Sequence, residues 1–113
     1  MIAIPLALLG DSATVEEPDG SEFAGHYGDP WPLRYVRLET RVASVDREWA
    51  AGGLVSAVLF VDATNSVPAT PPPVGSRVTV SQGGATLTGT VTEVRQLCDW
   101  GSHVHHWEVA IGG

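Results

Sequence analysis

The stretch RVTVSQGGATLTGTV, Arg77–Val91, decides the fold class of this chain. A β-branched run leads into a pair of glycines, and a second run rich in threonine and valine follows it. Two such runs joined by a short glycine loop are typical of an antiparallel β-hairpin. Further along, Val94 is out of phase with Val91, which predicts a β-bulge near Thr92–Glu93. Gly89 would permit a sharp bend of the same strand.

Two more strands are predicted upstream of this hairpin. Val36 and Leu38 alternate with charged residues, which is typical of a half-buried antiparallel strand. The run Leu54–Ala63 is almost continuously apolar and predicts a central strand that is buried on both faces. We expect these two strands to pair as a long hairpin.

A last strand is predicted over Val104–Ile111, where Trp107, Val109 and Ile111 share one face. The chain then holds five to seven short strands and no convincing helix. Closure of such strands into a barrel removes the sheet edges that would otherwise aggregate. The sequence therefore predicts an all-β fold, a small antiparallel β-barrel with long loops, in a single domain over residues 1–113.

Three segments interrupt this pattern. Residues 11–32 carry six acids and no arginine and predict an acidic loop, with a short strand near Ala13–Glu16. Residues 64–76 hold four prolines and predict a stiff, extended connection. The opening apolar run is too short to span a membrane and has no basic residue before it, so it fits a short opening strand. We expect synthesis in the cytoplasm, with no export and no membrane partner.

Composition limits the possible functions. The net charge is -7, and the six basic residues are all arginine. Such a chain is poorly suited to gripping nucleic-acid phosphates, although an acidic wall lets DNA slide past without specific binding. A single cysteine excludes an intrachain disulfide and a cysteine-rich zinc fold.

The stretch LCDWGSHVHHWEVAI, Leu97–Ile111, is the one place where a reactive site could lie. His103 and His105 are two residues apart on an extended segment, so with Cys98 they could present ligands to Zn²⁺. Strand alternation directs His106 to the opposite face, and spacing places no fourth ligand. The pattern favours a polar hairpin end with a buried or semi-buried thiol, no cofactor and no enzyme activity. A small metal-binding or ligand-binding barrel that uses these three residues is the alternative.

The tryptophans suggest a contact surface. All four, at positions 31, 49, 100 and 107, lie at or beside predicted loops, and tryptophan is enriched at the centres of protein interfaces. We therefore take Trp31, Trp49 and Trp100, together with His103 and His105, as candidate subunit-interface residues.

The order of these motifs resembles a known family. YGDP ends the early loop, VGSRVTV and ATLTGTVTEV form the hairpin, and HHWEVAI closes the chain. This layout resembles the head-to-tail stopper, or head-completion, proteins of long-tailed bacteriophages, especially those of actinobacterial hosts. The resemblance is best over Val74–Ile111 and concerns only the layout in the first half.

The resemblance implies a structural protein of the virion neck that assembles as a six-fold ring, a hexamer. Such rings lie between the adaptor below the portal and the tail terminator, close the DNA channel and dock the tail. The loop Asp46–Gly53 is short for gating, so the acidic segment is the better candidate to line the channel, with the residues Glu16, Glu17, Asp19 and Glu22. Another phage neck or tail protein, such as a tail terminator or a minor tail subunit, is the alternative within this class.

Overall fold

Six antiparallel strands close into a barrel in the computed structural model, which describes residues 3–20, 26–41 and 56–112. Around the barrel the strands follow the order β1-β2-β3-β6-β5-β4. This architecture confirms the predicted all-β fold and the small antiparallel barrel. The strands are β1 (Asp11–Glu16), β2 (Trp31–Arg41), β3 (Ser56–Asp62), β4 (Arg77–Gln82), β5 (Ala85–Cys98) and β6 (Val104–Gly112).

The interior of the barrel is filled by small and branched apolar side chains, which come mainly from alternate positions of the strands. In β2 the spacing from Leu33 to Val36 is three residues, because the pairing with β1 shifts register there. These side chains form a single buried cluster, against which Trp107 packs from one end as predicted. The predicted inward positions Val36, Leu38, Val109 and Ile111 all belong to it. The other members are Ala13, Val15, Leu33, Ala57, Leu59, Val61, Val78, Val80 and Val91.

The predicted hairpin and its bulge are both present. β4 and β5 pair from Arg77↔Thr90 to Gln82↔Ala85, and the turn between them is Gly83–Gly84. Both glycines have a positive φ, as a two-residue hairpin turn requires. β5 then leaves β4 and pairs with β6, with a register shift between Val91 and Glu93. The first part of β5 thus pairs with β4 and the rest pairs with β6, and the bulge lies where the pairing changes.

Over residues 57–61 only the inward face of the central strand is fully buried, which corrects the prediction for Leu54–Ala63. Along β3 the side chains of Ala57, Leu59 and Val61 are buried, whereas those of Val58 and Phe60 are half-buried. A closed barrel has a single wall, and the amino-terminal segment covers the outer face of β3 only in part, beside Phe60. The first two residues of the predicted run, 54 and 55, lie outside the described residues.

The acidic loop is shorter than the predicted range 11–32, because both ends of that range belong to the barrel. β1 lies between β2 and β4 and buries Ala13 and Val15 in the core. What remains is the excursion 17–30, whose two described flanks approach each other through a bridge between Pro18 and Tyr27. The connection 64–76 contains no strand, as predicted.

Candidate interaction surface

Antiparallel order places three connections at one end of the barrel, which we call the loop end. They are the excursion 17–30, the connection 63–76 and the hairpin loop 99–103, which follow β1, β3 and β5 respectively. The Gly83–Gly84 turn lies at the opposite end. The described channel acids, Glu16, Glu17 and Asp19, therefore belong to the same end of the molecule as Trp100.

Glu16, a predicted channel-lining acid, forms an ion pair with Arg77, its direct partner on the neighbouring strand β4. The guanidinium of Arg77 donates from Nε and Nη2 to the two carboxylate oxygens of Glu16, at 3.1 and 3.0 Å. The same guanidinium stacks over the ring of Tyr27, 4.5 Å from its centre. The hydrogen bonds from Arg77, and then its charge, hold the pKa of Glu16 below its usual value. Much of the charge of Glu16 is thus compensated within the chain.

The next predicted acid contacts a predicted interface residue. Glu17 accepts a hydrogen bond of 2.8 Å from the indole Nε1 of Trp31. Trp31 is half-buried and packs against the core cluster, so it closes the loop end of the barrel in addition to contacting Glu17. Asp19 is exposed, while Glu22 and Trp49 lie outside the described residues.

The hairpin loop 99–103 is held in one conformation by Asp99. Its Oδ1 accepts hydrogen bonds from the backbone N–H groups of Gly101 and His103, at 2.9 and 3.1 Å. The backbone N–H of Asp99 donates in turn to the carbonyl of His103, at 2.8 Å. The hydrogen bond from the His103 backbone is the main reason that the pKa of Asp99 lies below its ordinary value. Trp100 is 100% exposed at the tip of this ordered turn.

The histidines are paired differently from the prediction. His105 Nδ1 lies 2.7 Å from His106 Nδ1, so these two imidazoles share a hydrogen bond although alternation assigned them to opposite faces. The register runs from Leu97↔His106 directly to Cys98↔Val104, so His105 is an extra, bulged residue. A bulge suspends alternation and thereby brings neighbouring side chains together.

Metal ligation by His103, His105 and Cys98 gains no support. Within residues 3–20, 26–41 and 56–112, no group of three His, Cys, Asp or Glu side chains is arranged to hold a metal ion. The imidazole of His103 lies instead 3.6 Å from Asp99 Oδ1. The thiol of Cys98 is exposed, with Gln96 Nε2 at 3.7 Å, and the prediction of a buried or semi-buried thiol is wrong.

An apolar groove lies beside the amino-terminal segment, and the sequence analysis did not predict it. The predicted opening strand is instead a short 3-10 helix, Leu6–Leu8, that packs on the outer face of the barrel. Pro5 precedes the helix and lacks the backbone donor that a strand would need. The groove has a volume of about 320 Å³ and is lined by Ile4, Leu8, Leu9, Arg37, Glu39 and Phe60. The apolar run at the start of the chain is the one sequence feature that points to this groove, because it supplies Ile4, Leu8 and Leu9.

A buried carboxylate fixes this amino-terminal segment to the barrel. Asp62, at the end of β3, is fully buried, and its Oδ1 accepts the backbone N–H of Ile4 at 3.0 Å. Its Oδ2 accepts the N–H groups of Thr64 and Asn65, at 3.0 and 2.8 Å. The side-chain amide of Asn65 donates to the carbonyl of Ile4. One wall of the groove is therefore held by hydrogen bonds as well as by packing.

Known protein families, curated proteins and solved structures give no match to this chain. Among the residues described, no helix has the length and apolar character needed to cross a bilayer. The features that bear on function are the acidic loop end, the exposed hairpin tip and the apolar groove.

Proposed function

We propose that this chain is a head-to-tail stopper of a long-tailed bacteriophage, a non-enzymatic protein that forms a ring, six-fold by the family resemblance, in the virion neck. It would assemble in the host cytoplasm and contact the adaptor on the head side and the tail terminator on the tail side. The ring would close the channel after packaging and let viral DNA pass at ejection without specific binding. The layout of motifs from Val74 to Ile111 motivates this proposal.

The observation that carries the proposal is the fully exposed Trp100 on a turn that Asp99 holds ordered. A partner surface that covers a large aromatic side chain gains free energy by removing its apolar area from water. An ordered turn also loses little conformational entropy on binding. A tip of this kind supports a role in assembly, where tryptophan is among the commonest anchors of an interface.

Charge at the loop end supports the channel part of the proposal. Glu17, Asp19 and Asp29 lie on or beside the excursion 17–30, which contains no arginine. Repetition of these acids around a ring would make the lumen negative, and a negative lumen disfavours adhesion of DNA during ejection. Glu16 contributes less than the sequence suggested, because Arg77 binds it.

The direct test is electron microscopy of particles assembled without this chain. A stopper is needed after packaging, so we expect heads that fill and then lose their DNA, together with free, complete tails. Heads that keep their DNA, beside tails of abnormal length, would favour the alternative of a tail terminator. Intact, infectious particles would refute any role in the neck.

A further inference from the structure

Two apolar features of the described surface complement each other, one projecting and one recessed. Trp100 projects from the hairpin tip and is 100% exposed. The groove beside the amino-terminal segment is bordered by Leu8, itself 51% exposed, and has Phe60 among its lining residues. We propose that Trp100 of one copy inserts into the groove of the next copy. The contact itself follows from these surfaces, whereas its closure into a ring rests on the proposed neck function.

Size supports this pairing. The groove has a volume of about 320 Å³, and four of its six lining residues are apolar, Ile4, Leu8, Leu9 and Phe60. Burial of a tryptophan removes roughly 150–250 Å² from water. The groove therefore offers the ring of Trp100 an apolar recess in which to bury this area.

The rim of the groove supports it as well. Arg37 lies at the rim with its side chain 46% exposed and forms an ion pair of 3.4 Å with Glu39, which lines the same groove. The charges of this pair offset each other, and the exposed guanidinium stacks favourably on an indole face. Trp100 supplies such a face on the same chain, which favours a second copy as the occupant of the groove.

Geometry excludes insertion into the same chain. Because Trp100 is fully exposed, it does not occupy the groove of its own copy. The tip lies on the β5–β6 hairpin, while the groove lies on the outer face of β2 and β3, so each contact uses two different patches. A chain of copies joined by this contact has a free tip at one end and a free groove at the other. The chain closes into a ring when the rotation that relates successive copies adds up to a full turn.

The experiment is sedimentation velocity of the purified full chain at concentrations up to about 1 mM. At that concentration, association with a Kd near about 1 mM is detectable. Wild type should associate, and Trp100→Ala and Leu8→Glu should each weaken association at least about tenfold. Leu6→Glu is the matched control, because Leu6 is 54% exposed but does not line the groove. This control should associate like wild type.

A mixture of the two weakened variants gives the decisive result. Trp100→Ala keeps its groove and Leu8→Glu keeps its tip, so together they should form a one-to-one dimer that grows no further. Wild type that stays monomeric to about 1 mM, Trp100→Ala that associates like wild type, or a mixture without dimers would each overturn the proposal. If Leu8→Glu loses the circular dichroism spectrum of wild type, Arg37→Glu takes its place, with the same expected results.

The inference and the proposed function fail in distinguishable ways. If wild type stays monomeric while particles lacking the chain leak DNA, the neck function stands and the insertion of Trp100 is wrong. If Trp100→Ala abolishes association but particles that carry it keep DNA and join tails, the insertion stands and a ring-dependent stopper is wrong.

Discussion

Replacement of Gly89 by alanine tests the closure of the barrel at the seam between β5 and β6. A Cβ atom at this position would lie 2.5 Å from Cγ2 of Ile111 and 2.6 Å from the carbonyl oxygen of Gly112. The first distance is 0.9 Å shorter than the 3.4 Å at which ordinary van der Waals contact begins. Because one obstructing atom is backbone of β6, rotation of a side chain cannot relieve both contacts.

The expected loss of stability follows from these two contacts. Overpacking of this kind costs about 1–3 kcal/mol, and a backbone obstruction places Gly89→Ala near 2–3 kcal/mol. The lower entropy of alanine in the unfolded chain returns up to about 1 kcal/mol. The net loss of unfolding free energy is therefore about 1–2 kcal/mol, which lowers the Tm of a chain this size by about 4–8 °C.

Thermal unfolding followed by circular dichroism measures this loss. Gly10→Ala is the matched control, since no heavy atom lies within 4 Å of a Cβ there and its φ is not positive. The control should melt at or slightly above the wild-type temperature. If Gly89→Ala melts together with Gly10→Ala, then β5 and β6 do not approach each other at Gly89 and the described closure is wrong.

Two further substitutions test the surroundings of the groove and of the histidine pair. Asp62→Ala should lower the free energy of unfolding by about 2–3 kcal/mol in urea titrations, because buried N–H donors lose their acceptor. The exposed Asp29→Ala should change it by less than about 0.5 kcal/mol, and equal effects of the two variants would contradict the anchoring role. Burial, and then the charge of His105, lowers the pKa of His106 from its ordinary 6.5, so the unfolded chain binds this proton more readily than the folded chain. Stability should therefore fall as the pH drops below about 6.5, and His106→Gln should flatten this slope. An unchanged slope would show that His106 does not titrate as described.

Periodicity and turn chemistry predicted most of the barrel. The hairpin around Gly83–Gly84, the bulge after Val91 and the inward face of β6 all follow from local spacing, because pleating forces alternation. The one-sided burial of β3 could not be predicted in this way. A continuous apolar run is expected for a strand that is buried on both faces, and it occurs equally in a barrel strand whose outer face is half-covered. The run alone does not distinguish these two cases.

The surface features were harder to predict, for two physical reasons. His105 is bulged, so the alternation that separated it from His106 did not apply, and nothing in the local sequence marks this second bulge. The groove depends on contacts between residues far apart in the chain, such as Ile4 with Asp62, which no local pattern encodes. By contrast, the exposed Trp100 was within reach of sequence reasoning, since it follows Asp99 and precedes a glycine in a short loop.

The most direct test of the neck function is repair of leaking heads by the purified protein. Heads packaged without this chain would be incubated with it while they still hold their DNA, and the fraction of DNA that resists nuclease would be measured. The proposal predicts that wild-type protein makes the packaged DNA resistant and restores the joining of added tails. Heads whose DNA stays sensitive to nuclease at saturating protein would contradict the assignment of this chain as the stopper.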